Sequence, residues 1–262
     1  MSSVRSTFNK ASKSYNDVAF LQKEIANRLL QKLNPLKLIP ESILDLGSGT
    51  GIFTNLVSSK YSNAKTISLD FALNSITLSN ADFKVCANAN HLPFKTSSID
   101  FVCSNLMLQW IQDPSLVFNE INRVLKPNSL FFFSSFGPDT LNELKSSWAV
   151  VDRDNHVNNF IDMHDLGDQL TGCGFQSPVM EMEKITLTYS EVEDLMFDLK
   201  SLGANKVFNQ SKGLVGKNKF TSMKNMYESY RTDGKIPATY EVIYGHAWTA
   251  SDIFSPINLE NR

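Results

Sequence analysis

Three glycines at alternate positions, Gly47, Gly49 and Gly51, follow a short apolar run in the stretch ILDLGSGTG (43–51), and a helix-compatible segment comes directly after them. Glycine permits a tight turn and lets a ligand approach the main chain closely. Between a strand and a helix, such a loop lies where open α/β sheets bind ligands, at the carboxyl ends of the strands. The next apolar run, TISLDF, carries Asp70, 19 residues past Gly51. A carboxylate there can accept hydrogen bonds from both hydroxyls of a ribose. Asp70 alone suits a nicotinamide dinucleotide or any adenosyl ligand. A dinucleotide fingerprint requires G-x-G-x-x-G, and the position of its third glycine is Ile52 here. The Gly-x-Gly-x-Gly spacing tips the balance away from a dinucleotide.

These residues need a rigid frame. Short apolar runs recur at Ile43 to Leu46, Thr66 to Leu69, Phe83 to Cys86, Ile99 to Cys103 and Leu130 to Ser134, with helix-compatible segments at 51–59, 73–79 and 114–125 between them. Runs that are apolar throughout indicate strands buried on both faces, as in a parallel sheet covered by helices. Their alternation with helices predicts a doubly wound α/β domain. Upstream, residues 17–33 place Leu21, Ile25, Leu29 and Leu33 at helical spacing, and Asn34-Pro35 ends that helix. Downstream, a helix is expected near 163–172, a strand at 179–189 and helical chain over 190–230. Ala238 to Trp248, rich in β-formers, reads as the last strand. The expected architecture is one domain over 1–250. It comprises N-terminal helices (1–34), a Rossmann-like core (43–189), a helical cap insertion (190–230) and a closing strand (237–248). A tail of 251–262 follows.

Composition excludes several classes. With 25 basic and 27 acidic residues the formal charge is −2, which argues against a globally basic nucleic-acid binder. No apolar stretch approaches the ~20 residues needed to span a bilayer, and MSSVRSTFNKASKSY has no apolar core of the kind a secretory signal carries. Three cysteines without CxxC spacing fit a reducing compartment. A cytoplasmic protein without membrane or nucleic-acid partners is therefore expected. His91, His156, His164 and His246 show no zinc-ligand spacing, and Asp162 reads better as a helix N-cap than as a ligand; no metal is expected. The near-neutral total conceals unlike regions. Arg5, Lys10 and Lys13 precede the first acid, Asp17. Six lysines, Lys200 to Lys224, lie between Asp198 and Glu228 with no acid among them, which leaves −11 on the rest.

The glycine pattern with Asp70 resembles motif I of the class I S-adenosylmethionine-dependent methyltransferases. Further matches follow in the superfamily's order: CANANHLPF (86–94), SSIDFVCSNLMLQWIQDP (97–114) and EINRVLKPNSLFFFS (120–134). The resemblance implies a doubly wound, mostly parallel seven-stranded sheet of the class I methyltransferase type. It also implies S-adenosyl-L-methionine as cofactor, S-adenosyl-L-homocysteine as its product, and cofactor contacts from Gly47, Gly49, Gly51, Asp70, Phe71, Asn88, Ala89, Ser104 and Asn105. Asn88 replaces the usual aspartate of that motif; an amide can still bond an adenine.

Flanking segments narrow the resemblance. FNKASKSYNDVAFLQKEIANRLL (8–30), SFGPDTLNELKSSWAVVDRDNHVNNF (135–160), LKSLGAN (199–205) and PATYEVIYGH (237–246) are similar to the malonyl-[acyl-carrier protein] O-methyltransferases of biotin synthesis. A sister family, the complex I assembly factors credited with arginine hydroxylation, shares part of the pattern and is the alternative. The favoured family implies methyl transfer to the free carboxylate of a malonyl thioester, carried on acyl carrier protein or on coenzyme A. That carboxylate is ionised at neutral pH, so no general base is needed, and no catalytic acid or base is assigned. Tyr15 and Trp110 are expected to wall the transfer site. Arg153, with His156 nearby, is the expected partner of the malonyl carboxylate. Arg123 reads as structural. Lys206, Lys212, Lys217, Lys219 and Lys224 form the expected docking face for an acidic carrier.

Overall fold

The computed structural model describes residues 19–202 and 216–251. Tyr15, Lys206 and Lys212 lie outside the described residues, as do Arg5, Lys10, Lys13 and most of the 251–262 tail. Seven strands form one sheet: β1 (Ser42–Leu46), β2 (Lys65–Asp70), β3 (Phe83–Cys86), β4 (Ile99–Asn105), β5 (Leu125–Phe136), β6 (Gln176–Tyr189) and β7 (Ile236–Trp248). Their order is β3-β2-β1-β4-β5-β7-β6. The first five pair in parallel, and β7 runs antiparallel between β5 and β6. Strand order reverses between β1 and β4, and the crevice at such a switch point is where doubly wound sheets bind ligands.

Period-two alternation along β5 divides the core. Leu130 and Phe132 face one side, together with Phe101 of β4, where α1 (Phe20–Lys32), α2 (Ile52–Lys60), α5 (Asn142–Ala149) and α7 (Val192–Ser201) pack. Phe131 and Phe133 face the other, against Phe118 of α4 (Pro114–Val124) and the buried Leu166 and Leu170 of α6 (Met163–Gly172). Phe131 and Phe133 stack with centroids 4.9 Å apart. Full burial of each such ring contributes about 1.5–3 kcal/mol. Helix α1 buries Leu21, Ile25, Ala26 and Leu29. Its polar side reaches the far edge strand, Arg28 to Glu183 at 2.8 Å and Lys32 to Glu181 at 2.6 Å.

Three local departures from the sequence expectation have physical causes. The helix expected over 73–79 is the single turn α3 (Leu73–Ile76), because Ser79 turns inward to a buried hydroxyl partner, Ser68. The strand expected at Leu130 to Ser134 begins at Leu125, and Lys126-Pro127-Asn128 forms an irregularity inside it. Asn128 takes φ +54°, and the register jumps from Ile99 opposite Leu125 to Phe101 opposite Leu130. Helix α5 is absent from the sequence reading because its two serines and a tryptophan are indifferent helix formers. Tertiary contacts fix it: Glu143 accepts from both the amide and the hydroxyl of Thr239 on β7.

The 190–230 insertion contains α7 and α8 (Lys217–Tyr227), followed by a 3-10 turn over Glu228–Tyr230. α7 opens on a reciprocal capping box between Glu191 and Asp194. α8 is anchored by Tyr227, whose hydroxyl donates to the Pro237 carbonyl at 2.9 Å.

Candidate active site

The loop between β1 and α2 is shaped by its glycines. Gly47 has φ +72°, and a Cβ there would collide with the Met107 side chain. Gly51 has φ +86°, and its Cβ would collide with Ser79. Gly51 therefore permits the close approach of helix α2 to the 72–79 segment, and it does not line the cavity beside which it was expected to contact a ligand. Gly49 faces open space and lines the cavity.

Asp70 organises this loop from the end of β2. One carboxylate oxygen accepts from the Gly49 amide at 2.8 Å and the other from the Ala72 amide at 2.7 Å. The Gly47 and Ser48 amides both donate to the Leu69 carbonyl. Burial pushes the Asp70 carboxyl up, and bonds from the Ala72, Gly49 and Phe71 amides oppose that shift. Three amides occupy three of the carboxylate's roughly four acceptor sites, which leaves one for a ribose hydroxyl.

Sequence reading passed over Asp45, although an acid within the apolar run ILDL is itself a signal. It is buried and lines the cavity. Oδ2 accepts from the Thr54 hydroxyl at 2.6 Å, and contacts continue from Thr54 to Ser68 (3.0 Å) and from Ser68 to Ser79 (2.7 Å). Oδ1 has no hydrogen-bond partner. Burial pushes the Asp45 carboxyl up to about 7; the Thr54 hydroxyl holds it down and the nearby Asp70 charge adds to the rise.

Beyond β4 the chain turns sharply. Leu106, a non-glycine residue at φ +55°, is held there by its amide, which donates to the Ser134 carbonyl and hydroxyl at 3.2 and 3.1 Å. A left-handed conformation costs such a residue roughly 1–2 kcal/mol. It places the 3-10 turn Leu108–Trp110 across the crevice. Asn105 receives the Ser134 hydroxyl at 2.8 Å and donates to the Gln22 carbonyl at 3.3 Å, tying α1 to β4. Ser104, expected beside the cofactor, is turned toward the neighbouring strand. Its hydroxyl donates to the Leu46 carbonyl at 2.8 Å in the buried sheet, and it does not line the cavity. Phe71, Asn88, Ala89, Asn105 and Trp110 all line it. The loop carrying Asn88 is buttressed by Arg123, which pairs with Glu120 and donates to the Leu92 and Phe94 carbonyls.

A second cavity adjoins the first, and the two share Gln22, Gln109, Trp110, Phe136 and Leu202 in their walls. Its lining is mostly apolar and includes Trp148, Met196, Phe220 and Tyr240, so α7 and α8 form part of its wall. His156 lines it and is fixed on two sides. Its ring stacks on Trp148 with centroids 3.7 Å apart, and Nε2 lies 2.8 Å from Asp152. Lys219 of α8 binds the other oxygen of Asp152 at 2.8 Å, and with His156 it holds that carboxyl down to about 2. Arg153 is exposed and lines neither cavity. Among the described residues His156 is the only basic side chain in the second cavity. Asp152, Asp154 and His156 could offer three ligand atoms within 4.8 Å of one another, but Lys219 and His156 already engage Asp152, and the group is a salt-bridged clamp.

The lysines of α8 do not form an uncompensated positive face. Lys219 pairs with Asp152, and Lys224 pairs with Glu193 at 2.9 Å and Glu191 at 3.3 Å. Lys217 is exposed at the first turn. No described helix is long and apolar enough to cross a membrane.

The first cavity fits an adenosyl sulfonium. Asp70 lines it, apolar residues such as Leu69, Phe71 and Ala89 can flank a flat base, and the Asp45 carboxyl in its wall suits a cationic ligand. Comparison with known proteins agrees. A family described as "Methyltransferase domain" matches residues 44–133. The malonyl-[acyl-carrier protein] O-methyltransferase of Gallionella capsiferriformans is 43% identical over 259 residues, covering 94% of this chain and 89% of that one. Its namesake from Methylovorus sp. is 42% identical, covering 99% and 94%. Among solved structures, an S-adenosylmethionine-dependent methyltransferase of Methanosarcina mazei superposes with a TM-score of 0.54 at 18% identity, covering 84% and 98%, which speaks for the fold.

Proposed function

Because the chain belongs to the malonyl-[acyl-carrier protein] O-methyltransferase family, we infer that it methylates the free carboxylate of a malonyl group carried as a thioester on acyl carrier protein. S-adenosylmethionine is the cofactor, and when bound it supplies an activated methyl group on a positively charged sulfur. The alternative of an arginine-hydroxylating assembly factor is not favoured by these relatives.

The observation that carries this reading is the second cavity: apolar, open to the first across a shared wall, and holding His156 as its one basic side chain among those described. Asp70, oriented by the Gly49 amide, would receive the ribose end of the cofactor; Phe71, Asn88 and Ala89 would border its base. His156 takes the place expected for Arg153 as partner of the malonyl carboxylate. With Nε2 committed to Asp152, its remaining nitrogen can donate to that carboxylate only from the imidazolium form. Trp110, Phe136 and Leu202 keep water from the junction, so the carboxylate meets its target poorly solvated. The rate gain comes from orientation, which can supply roughly 7–11 kcal/mol when reacting groups are well placed. Methylation abolishes the charge that His156 recognises, and the product loses its anchor.

Incubating the protein with methyl-labelled S-adenosylmethionine and malonyl acyl carrier protein should give a carrier heavier by one methyl group, the label being lost on mild ester hydrolysis. No incorporation by protein with bound cofactor would sink the reading. Malonyl coenzyme A in a parallel reaction decides how much the carrier itself contributes. We further propose that the carrier approaches over α8, with Lys217 as its first exposed cation.

A further inference from the structure

The partners of the Asp152 carboxylate divide unequally between its two oxygens. Oδ1 lies 2.8 Å from Nε2 of His156 and accepts from the Asp154 amide at 3.1 Å. Oδ2 accepts from the Lys219 ammonium at 2.8 Å. The carboxyl, held down to about 2, is ionised and can only accept, so Nε2 carries the proton between Asp152 and His156.

These partners differ in origin. Asp154 and His156 belong to the loop that carries Asp152, and the Asp152 amide donates to the carbonyl of Trp148, on whose ring His156 stacks. Both loop contacts meet Oδ1, so by themselves they act as a pivot about which the carboxylate plane can turn. Lys219 reaches Oδ2 from α8, 67 residues further along the chain. It supplies the second fixed point. α8 is itself firmly held: Met223 and Tyr227 are buried, and Lys224 pairs with Glu191 and Glu193 at the start of α7. Phe220, next to Lys219 in the chain, lines the second cavity together with His156.

Exposure separates this arrangement from a docking contact. The side chains of Asp152 and His156 are only 12% and 8% exposed, whereas Lys219 is half-exposed. A shielded carboxylate requires a partner for its charge, and a lysine engaged there is not free to meet an incoming acidic surface.

We propose that Lys219 is a positioning residue for the acceptor: it locks the Asp152 carboxylate, Asp152 locks the His156 ring, and α8 thereby sets the cation that meets the malonyl carboxylate. The proposal rests on the methyl-transfer reading above and deepens it, by making recognition of the acceptor depend on a helix remote in sequence.

Lys219→Met, which keeps the stem and removes the charge, and Lys219→Arg, which keeps the charge, test it in two ways. In nitrogen-15 NMR spectra the His156 Nε2 proton, assigned by its absence from His156→Leu, should be sharp in wild type and Lys219→Arg. In Lys219→Met it should be broadened by exchange with water. In kinetics, Lys219→Met should raise KM roughly 3- to 10-fold, and by the same factor for malonyl acyl carrier protein and malonyl coenzyme A. Its kcat and cofactor Kd should stay within twofold, and Lys219→Arg should restore KM. On the His156→Leu background, Lys219→Met should add less than a further twofold, because its effect passes through that ring. A rise confined to the carrier would make Lys219 a docking residue and overturn the proposal, as would an unchanged Nε2 signal in Lys219→Met. Wild type that forms no methyl ester, with the Nε2 signal behaving as expected, would remove the malonyl acceptor and leave the hold of Lys219 on His156 standing.

Discussion

The imidazole of His156 lies on the indole of Trp148 with ring planes 11° apart and centroids 3.7 Å apart, while Asp152 holds its Nε2. Stack and hydrogen bond together leave the ring little rotational freedom, and one nitrogen is left to meet a ligand in the second cavity. His156→Leu keeps an apolar body on Trp148 and deletes that nitrogen. A charge-assisted hydrogen bond is worth about 1.5–3 kcal/mol, so KM for the malonyl carrier should rise by one to two orders of magnitude. Cofactor affinity by calorimetry should stay within twofold. A matching loss of cofactor binding would place His156 in the framework and not at the acceptor.

Gly49 and Gly51 should separate binding from folding. Both have positive φ, but a Cβ on Gly49 meets nothing within 4 Å while one on Gly51 meets Ser79. Gly51→Ala combines the left-handed penalty of roughly 1–2 kcal/mol with a backbone clash, and should lower the urea midpoint clearly. Gly49→Ala carries only the conformational term and projects a methyl into open space at the cavity wall, so its larger effect should appear in the cofactor Kd. Equal losses of stability in the two variants would count against the division of roles.

Much of this was legible in the chain, and the gaps have a common physical origin. Strand runs such as Ile43 to Leu46 and the helix over 163–172 are specified locally, by continuous apolarity or by the Asp162 cap, whose carboxylate accepts from the His164 amide at 2.8 Å. Asp70 could be placed because one acid at the end of a strand has few positions to occupy. The misplaced residues depend on tertiary contacts. Ser104 points into the sheet because strand alternation puts its hydroxyl under Leu46. Arg153 and His156 are three residues apart, yet only the stack on Trp148 decides which of them faces the cavity. Asp45 was overlooked because its neighbours read as core, and its unpaired oxygen exists only once the cavity does. Neutralisation of Lys219 and Lys224 needed partners 67 and 31 residues away.

Carrier docking over α8 predicts a graded response to charge. Lys217→Glu reverses an exposed charge, whereas Lys224→Glu also sets a new acid against Glu191 and Glu193. Lys217→Glu should therefore raise KM for the carrier several-fold and flatten its dependence on salt, with little change in melting temperature, because rim charges act mainly on encounter. Malonyl coenzyme A, lacking the carrier's acidic surface, should be turned over equally by variant and wild type. An unchanged carrier KM at low salt would move the docking face elsewhere.

Asp45 predicts the pH behaviour. Its carboxyl is raised from about 3.8 to about 7 in the fold, so between those values the folded chain holds a proton that the unfolded chain has lost. Its contribution to stability is therefore complete below about pH 4 and disappears as pH rises through 7. At about 1.4 kcal/mol per unit the change is on the order of 4 kcal/mol at most. Asp45→Asn cannot lose this proton, so the difference between its melting curve and that of the wild type should widen in the variant's favour from pH 4 to 8. Binding works in the opposite direction. A cationic cofactor in the cavity that Asp45 lines favours the carboxylate, so wild type near pH 7 should release protons when it binds. Titrations in two buffers of different ionisation enthalpy read that release as a difference in apparent heat, which Asp45→Asn should abolish. Identical heats for the wild type in both buffers would disconnect Asp45 from the bound charge.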